Sequence, residues 1–272
     1  MRFIHITDTH LGPTADFRLY GRDPCANMAL LVDRINALQF EVDFILHTGD
    51  VTDDGAEASY RLFESHCDRL KFPIRYAIGN HDDLAPMRAV LLGGSCGTAP
   101  RLDYQFEIGG VEFCILDTRG PIPPGGHLYD EQLHRIESIC ETKTDQPLVV
   151  VVHHQPVDLD TPWLDDRART WPRDQFMRLD NGDAFLRAIA PAGPTGTARL
   201  RGVFFGHVHT PFVVVRDGIL FSSGASSFAQ LTTGSDCDDV KLAEHEPVGF
   251  NVVTISGTQT LVRAVRYAAA SS

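Results

Sequence analysis

Short β-branched runs alternate with helical spacings through the first part of the chain, and this alternation limits the folds open to it. Phe3, Ile4 and Ile6 read as a strand. Leu30, Leu31, Ile35 and Leu38 then recur at helical spacing within residues 25–38. Residues 44–46 form a second buried strand, 56–70 a second amphipathic helix and 74–78 a third strand. The order βαβαβ predicts a parallel sheet covered by helices.

The second half is richer in strands. Residues 104–108 and 111–116 flank Gly109-Gly110, a hairpin signal. A helix is expected over 130–141. The unbroken apolar run 148–152 reads as a strand buried on both faces. A short helix is expected over 184–189, and strands over 203–205, 212–215 and 219–222, the last two joined by Arg216-Asp217-Gly218. Residues 250–255 and 261–265 read as a closing antiparallel pair. Residues 155–178 and 226–247 lack periodicity and read as long loops, which in compact domains are often functional. With no linker or repeat, the expectation is one α/β domain over residues 1–267, two mixed sheets flanked by helices, and a flexible tail at 268–272.

The formal net charge of −12 argues against nucleic-acid polymers and anionic membranes as partners. It leaves room for a small phosphate ester, because bound cations reverse the local field. The six cysteines are dispersed without a CxxC pair. Together with the absence of a secretory or membrane-spanning apolar run, this predicts a reduced, cytoplasmic protein.

Polar residues recur at the ends of the predicted strands. Asp8 and His10 follow the first, Asp50 the second, Asn80 and His81 the third; His153 and His154 follow the run at 148–152, and His207 and His209 the strand at 203–205. Ligands of open α/β sheets gather at strand carboxyl ends. Asp, neutral His and an amide oxygen, without sulfur, suit Mn, Fe or Zn. A carboxylate can bridge two cations. The set therefore fits a pair of divalent ions about 3.5–4 Å apart, as used for in-line displacement at phosphorus. Taken singly, each residue also has a plain reading as a turn, cap or core side chain.

Asp8-x-His10, Gly49-Asp50, Gly79-Asn80-His81-Asp82, His153 and Gly206-His207-x-His209 resemble, in order, the blocks of the calcineurin-like metallophosphoesterases. Arg18-Leu19-Tyr20-Gly21, Asp82-Asp83 and His153-His154-x-Pro156 are similar to the bacterial class III cyclic nucleotide phosphodiesterases and related glycerophosphodiesterases, with Gln155 where that branch usually has proline. The resemblance implies a metallophosphoesterase-type β-sandwich and a metal-dependent phosphoric diester hydrolase. A 3′,5′-cyclic nucleotide, cyclic AMP, is the leading substrate; a glycerophosphodiester, a 2′,3′-cyclic nucleotide or a phosphomonoester is the alternative. It further implies Asp8, His10, Asp50 and His209 around a first metal, and Asp50, Asn80, His153 and His207 around a second. A hydroxide shared by the metals would be the nucleophile. His81 would act at the phosphoryl or leaving oxygen, oriented by Asp82, with Asn80 and His154 as further substrate contacts. A homodimer is also in keeping with the family, whereas a non-catalytic scaffold is disfavoured because no ligand position is substituted.

Substrate choice is expected to lie in residues 11–24, 155–178 and 226–247. Arg18 and Tyr20 either touch substrate or pack the first loop. Trp163 and Trp171 either wall the site or bury their own loop. His5 and His47 are expected to be structural. His127, in Gly125-Gly126-His127, is a weaker candidate for the site.

Overall fold

The structure is a computed structural model and describes residues 1–93, 99–165, 177–190 and 199–270. Strand β1 (Arg2–Ile6), helix α1 (Pro24–Asn36), β2 (Phe44–His47), α2 (Glu57–Cys67) and β3 (Ile74–Tyr76) form the expected βαβαβ unit. Both strand pairs in it are parallel. Helix α1 starts where its sequence requires. Asp23 Oδ1 accepts from Ala26 N at 2.9 Å, and Pro24 fills the first turn, where a missing N–H costs nothing. Its Met28, Leu31, Val32 and Ile35 are buried, an i, i+3, i+4, i+7 stripe laid on the sheet.

The remaining elements are α3 (Leu84–Val90), β4 (Tyr104–Ile108), β5 (Val111–Ile115), α4 (Asp130–Glu141), β6 (Leu148–Val151), α5 (Pro162–Asp165), α6 (Gly182–Ile189), β7 (Leu200–Phe205), β8 (Val213–Arg216), β9 (Ile219–Ser223), β10 (Val248–Ser256) and β11 (Gln259–Tyr267). Among the described residues they make two mixed sheets, ordered β11-β10-β1-β2-β3 and β4-β5-β6-β7-β9-β8. This is the expected α/β sandwich. The chain's last strands close on its first, since β10 pairs antiparallel with β1.

Three apolar layers follow from the two-residue period of the strands. Phe3 faces the layer between the sheets and Ile4 the layer under α1, α2 and α3. In β6, Val149 and Val151 face the inter-sheet layer, while Leu148 and Val150 pack beneath α4 and α6. Burial on both faces is why that run carries no polar residue. The inter-sheet layer centres on Phe3, whose ring lies 5.4, 5.6 and 5.3 Å from those of Phe44, Phe113 and Phe204.

Some elements differ from the sequence reading. Helix α3 was not expected; it has only seven residues and includes Pro86, too short for a periodic signal, and it is started by Asp83 capping Ala85 N. Strands β10 and β11 extend well beyond their apolar runs, because pairing continues from Val248↔Tyr267 to Ser256↔Gln259 whatever the side chain. Residues 226–247 contain no helix or named strand, as expected. The 155–178 loop contains the short α5, and its residues 166–176, with Trp171, lie outside the described residues. So do Cys96 and the last two residues of the tail. The other five cysteines are unpaired. No helix among the described residues is long and apolar enough to cross a membrane.

Phe3 is fully buried at the joint of the sheets, so Phe3→Ala should cost about 3–5 kcal/mol of unfolding free energy. Urea denaturation checks this; a loss under about 1 kcal/mol would mean that the sheets are not held together through this ring.

Candidate metal centre

Strands β1, β2 and β7 end in tight bends that turn site residues toward one cavity. Asp8, His10, Asp50, His207 and His209 have φ values of 51°, 47°, 53°, 68° and 56°. This left-handed region is uncommon for residues other than glycine, though Asp and His enter it more readily than most. Its recurrence at the carboxyl ends of strands from both sheets marks a place where local strain serves a site. The neighbouring glycines are needed for close approach. A Cβ on Gly79 would lie 2.1 Å from Asp50 Oδ1, and one on Gly206 would lie 2.0 Å from Thr7 Oγ1.

The histidine rings are set by their outer nitrogens. His153 Nδ1 lies 2.8 Å from Thr48 O and His209 Nδ1 lies 3.0 Å from Ala229 O. A carbonyl only accepts, so each Nδ1 carries the proton. His10 Nδ1 donates in the same way to Asp53 Oδ1 at 3.2 Å. The neutral rings therefore turn the Nε2 lone pair toward the cavity. His10 Nε2 and His209 Nε2 face each other at 3.0 Å. His153 Nε2 meets Asp50 Oδ2 at 3.2 Å and Asn80 Oδ1 at 3.1 Å. Asp50 Oδ2 also lies 3.8 Å from His10 Nε2, and Asp8 Oδ1 lies 3.6 Å from His209 Nε2. His207 Nε2 is buried with no hydrogen-bond partner.

Acceptors facing acceptors at these distances repel one another unless a metal ion or a proton lies between them. The donor set is carboxylate, imidazole and amide oxygen, and the rings are held from behind as in metal sites generally. Asp8, His10 and His209 form one group able to hold an ion, and Asp8, Asp50 and His153 another. The residues present thus fit divalent metal ions.

The electrostatics point the same way. Burial disfavours a charged His153 ring, but Asp50 and Asp8 outweigh it and push its pKa up to about 9. Burial likewise opposes charge on His10, and Asp53, Asp50 and Asp8 raise it nonetheless. Asp50 is held well below the ordinary carboxylate range: burial alone would raise it, and His153, His81 and His10 reverse that. Burial, aided by neighbouring histidines, pushes His207 well down, and burial takes His209 to about 4. Neutral imidazole is the ligating form. A proton on His153 answers the Asp50 charge where a cation otherwise would.

The cavity of about 450 Å³ is lined at this end by His10, Asp50, Asn80, His81, His207 and His209. Asp8 and His153 are buried just behind it. His154 is not among the residues lining it, although one of its ring nitrogens lies within 4.8 Å of those of His153 and His207. Fully buried, it lies behind the centre with Nδ1 2.8 Å from Thr118 Oγ1 and Nε2 2.9 Å from Pro124 O. His127 is turned away, onto Asp180 at 2.7 Å. His5 and His47 are buried in the frame, and burial takes both to about 3. Trp163 buries its own loop and donates from Nε1 to Thr232 O.

The expected orienting role of Asp82 is corrected. Its carboxylate accepts from Gly79 N, Val51 N, Thr52 N and the Tyr60 hydroxyl, clamping the second and third strand ends together. His81 is held by Asp53, whose carbonyl lies 2.9 Å and whose carboxylate lies 3.6 Å from Nδ1. Asp53 was not singled out in the sequence; its signal is its place three residues after Asp50, within the same bend.

Residues 1–211 match the family model of the calcineurin-like phosphoesterases, a span that includes every candidate side chain from Asp8 to His209. The chain belongs to this family and is a metallophosphoesterase. It is similar to the 3′,5′-cyclic adenosine monophosphate phosphodiesterase CpdA of Pseudomonas aeruginosa, 28% identical over 85% of this chain and 78% of that protein. It is also similar to a cAMP/cGMP dual specificity phosphodiesterase of Mycobacterium tuberculosis, 33% identical over 76% of this chain and 61% of that protein. The solved purple acid phosphatase of yellow lupin seeds shares the fold, with a TM-score of 0.61 over 97% of this chain and 51% of that one, at 14% identity.

Gly79→Ala should push the Asp50 carboxylate out of place while sparing the core. Titration calorimetry should show Mn²⁺ binding weakened by at least about tenfold, the order of effect seen when ligand-orienting groups are lost. Unchanged affinity would mean that the strand ends can part to admit a methyl group.

Proposed function

We propose that the chain hydrolyses a small phosphodiester, with a 3′,5′-cyclic nucleotide such as cyclic AMP as substrate, using two divalent ions drawn from Mn, Fe and Zn. The observation that carries the two-ion reading is the position of Asp50 Oδ2, 3.2 Å from His153 Nε2 and 3.8 Å from His10 Nε2. One carboxylate thereby addresses both halves of the ligand set. Asp8, His10, Asp50 and His209 would hold one ion, and Asp50, Asn80, His153 and His207 the other. Bound there, the ions supply Lewis acidity at phosphoryl oxygens and a nucleophilic water at neutral pH.

The protein's own groups supply position and protons. With Asn80 Oδ1 turned toward the ligand set, its Nδ2 is left to donate to a phosphoryl oxygen. His81 stands at the cavity with its side chain 41% exposed. Its Nδ1 proton is committed to Asp53 O, so Nε2 is the nitrogen that faces substrate. In the imidazolium form, Nε2–H passes a proton to the departing oxygen while the Asp53 carboxylate stabilises the charged ring. For a cyclic substrate, that proton ends on the ribose oxygen released from phosphorus. His154, bonded to Thr118 and to the Pro124 carbonyl, would support the centre from behind.

The cyclic nucleotide assignment is supported by the activities named for the relatives and by the closer motif resemblance. The pairing of β10 with β1 supports residues 1–267 acting as one domain, and the unpaired cysteines favour a reducing, cytoplasmic setting.

Two substitutions test the roles. Asp50→Ala should abolish uptake of both ions, read by elemental analysis after dialysis, and retention of two equivalents would remove Asp50 as the shared ligand. His81→Ala should keep its metal and lose about 10²–10⁴-fold in kcat, the usual worth of a positioned acid. Full turnover by that variant would assign the proton to another group. The substrate itself is tested by kcat/KM of the Mn-loaded protein for cyclic AMP, 2′,3′-cyclic AMP, a glycerophosphodiester and p-nitrophenyl phosphate. The reading fails if no diester is cleaved, or if the monoester is preferred.

A further inference from the structure

Away from the ligand set, the cavity is walled by residues that no phosphoryl chemistry requires. Leu19 and Arg22 exchange backbone hydrogen bonds of 3.2 and 2.9 Å, closing a two-residue turn with Tyr20 and Gly21 at its tip. Both tip residues have positive φ, 48° and 75°. Glycine adopts this backbone freely; a bulky aromatic residue there is an outlier. Tyr20 is also 77% exposed, the highest value among the exposed large hydrophobics of the described residues. Core packing therefore gives nothing in return for its backbone, yet its side chain lines the cavity.

The turn is firmly held. Arg18 pairs with Asp23 at 2.9 Å, and Asp23 caps α1. Arg22 Nη2 reaches across to Glu244 O at 2.7 Å, tying the turn to the 226–247 loop. That loop supplies Leu231, Val240, Lys241 and Leu242 to the cavity. It is braced by Thr232 N donating to Lys241 O at 2.8 Å and Ala243 N to Gln230 O at 3.0 Å. Among the described residues, Lys241 is the one lysine or arginine that lines the cavity. The wall is thus an exposed aromatic ring, a set of aliphatic side chains and a single ammonium.

We infer that Tyr20 and Lys241 select the part of the substrate beyond phosphorus: a planar heteroaromatic group, a nucleobase, which stacks on Tyr20 and accepts a hydrogen bond from Lys241. A flexible polyol such as glycerol would gain little from the ring and would leave the aliphatic wall wet. A base offers a flat apolar face to the ring and bare nitrogens at its edge to an ammonium, which can only donate. The inference rests on the phosphodiester reading of the metal centre and names the substrate class within it.

Binding separates the two ideas, because it needs no turnover. The Mn-loaded protein is titrated with AMP and with ribose 5-phosphate, which share the phosphate and differ by the base. Wild type should prefer AMP by about tenfold or more, the scale of one base stacked on an aromatic side chain. Tyr20→Asn, which suits the left-handed turn, should remove most of that preference and leave ribose 5-phosphate affinity within about twofold. Lys241→Met, which keeps the aliphatic stem, should lower the preference by about threefold. Equal binding of both ligands by wild type, a variant that keeps full preference, or an equal fall for both ligands overturns the inference. Base preference without cyclic AMP hydrolysis counts against the proposed reaction alone; hydrolysis without base preference counts against Tyr20 and Lys241 alone.

Discussion

The hydrogen bonds made behind the site histidines determine what the site in front of them can be. Thr48 O and Ala229 O each fix a proton on Nδ1 of a ring, His153 and His209, and the Asp53 carboxylate does the same for His10. Once those protons are placed, every one of these Nε2 atoms faces inward, toward the carboxylates of Asp8 and Asp50, and binds there through a cation or through a proton of its own. The frame thereby builds a concentration of acceptors that is unfavourable by itself. A protein keeps such an arrangement when something positive completes it, and burial of the rings strengthens the demand by lowering the local dielectric.

Two consequences follow from that frame. The backbone donors are part of the site, although they carry no side-chain signature: His207 N donates to both oxygens of Asp8, and His81 N donates to Asp50 Oδ1. The carboxylates are thus positioned by the bends they sit in. The rigidity of the bends comes in turn from a group that touches neither cavity nor ligand. Asp82 collects the amides of residues 51, 52 and 79 around one carboxylate, and burial together with Asp50 raises its pKa despite those donors. The neighbouring Tyr60 hydroxyl, 3.0 Å away, shares that charge. A polar cluster this deep is favourable only because its groups are so fully partnered.

Much of this was legible in the sequence. Residue type and strand-end position sufficed to single out Asp8, His10, Asp50, Asn80, His153, His207 and His209, because each follows a strand at its carboxyl end; that these ends belong to two sheets that meet there is a matter of packing that no local pattern records. The parallel core strands were equally plain, being apolar on both faces. What escaped had no periodic or compositional trace. Helix α3 is two turns long. The outer halves of β10 and β11 are held by ladder bonds that any residue can make. The positions of Asp53, Asp82 and His154 relative to the cavity depend on bend geometry: successive residues such as His153 and His154 point to different sides of a chain leaving its strand, and sequence alone does not say which of them meets the substrate.

The distribution of these features along the chain has a physical logic. Metal ions recognise a phosphoryl group and little else, so residues that hold them can be common to enzymes of different substrates. The family match ends at residue 211, just past His209, the last of the candidate ligands. The wall residues Phe228, Leu231, Val240, Lys241 and Leu242 all lie beyond it, in a segment without regular structure. A loop joined to itself by one antiparallel bridge, Leu231↔Leu242, can change its side chains without disturbing the strands, whereas a change at Gly79 or Gly206 would move a carboxylate or its neighbour. The Arg22–Glu244 bond joins the first loop to the 226–247 loop, fixing one part of the wall against the other. The inferred roles of Tyr20 and Lys241 put selectivity between esters at that seam, because the first loop and the 226–247 loop both line the cavity that the candidate ligands line.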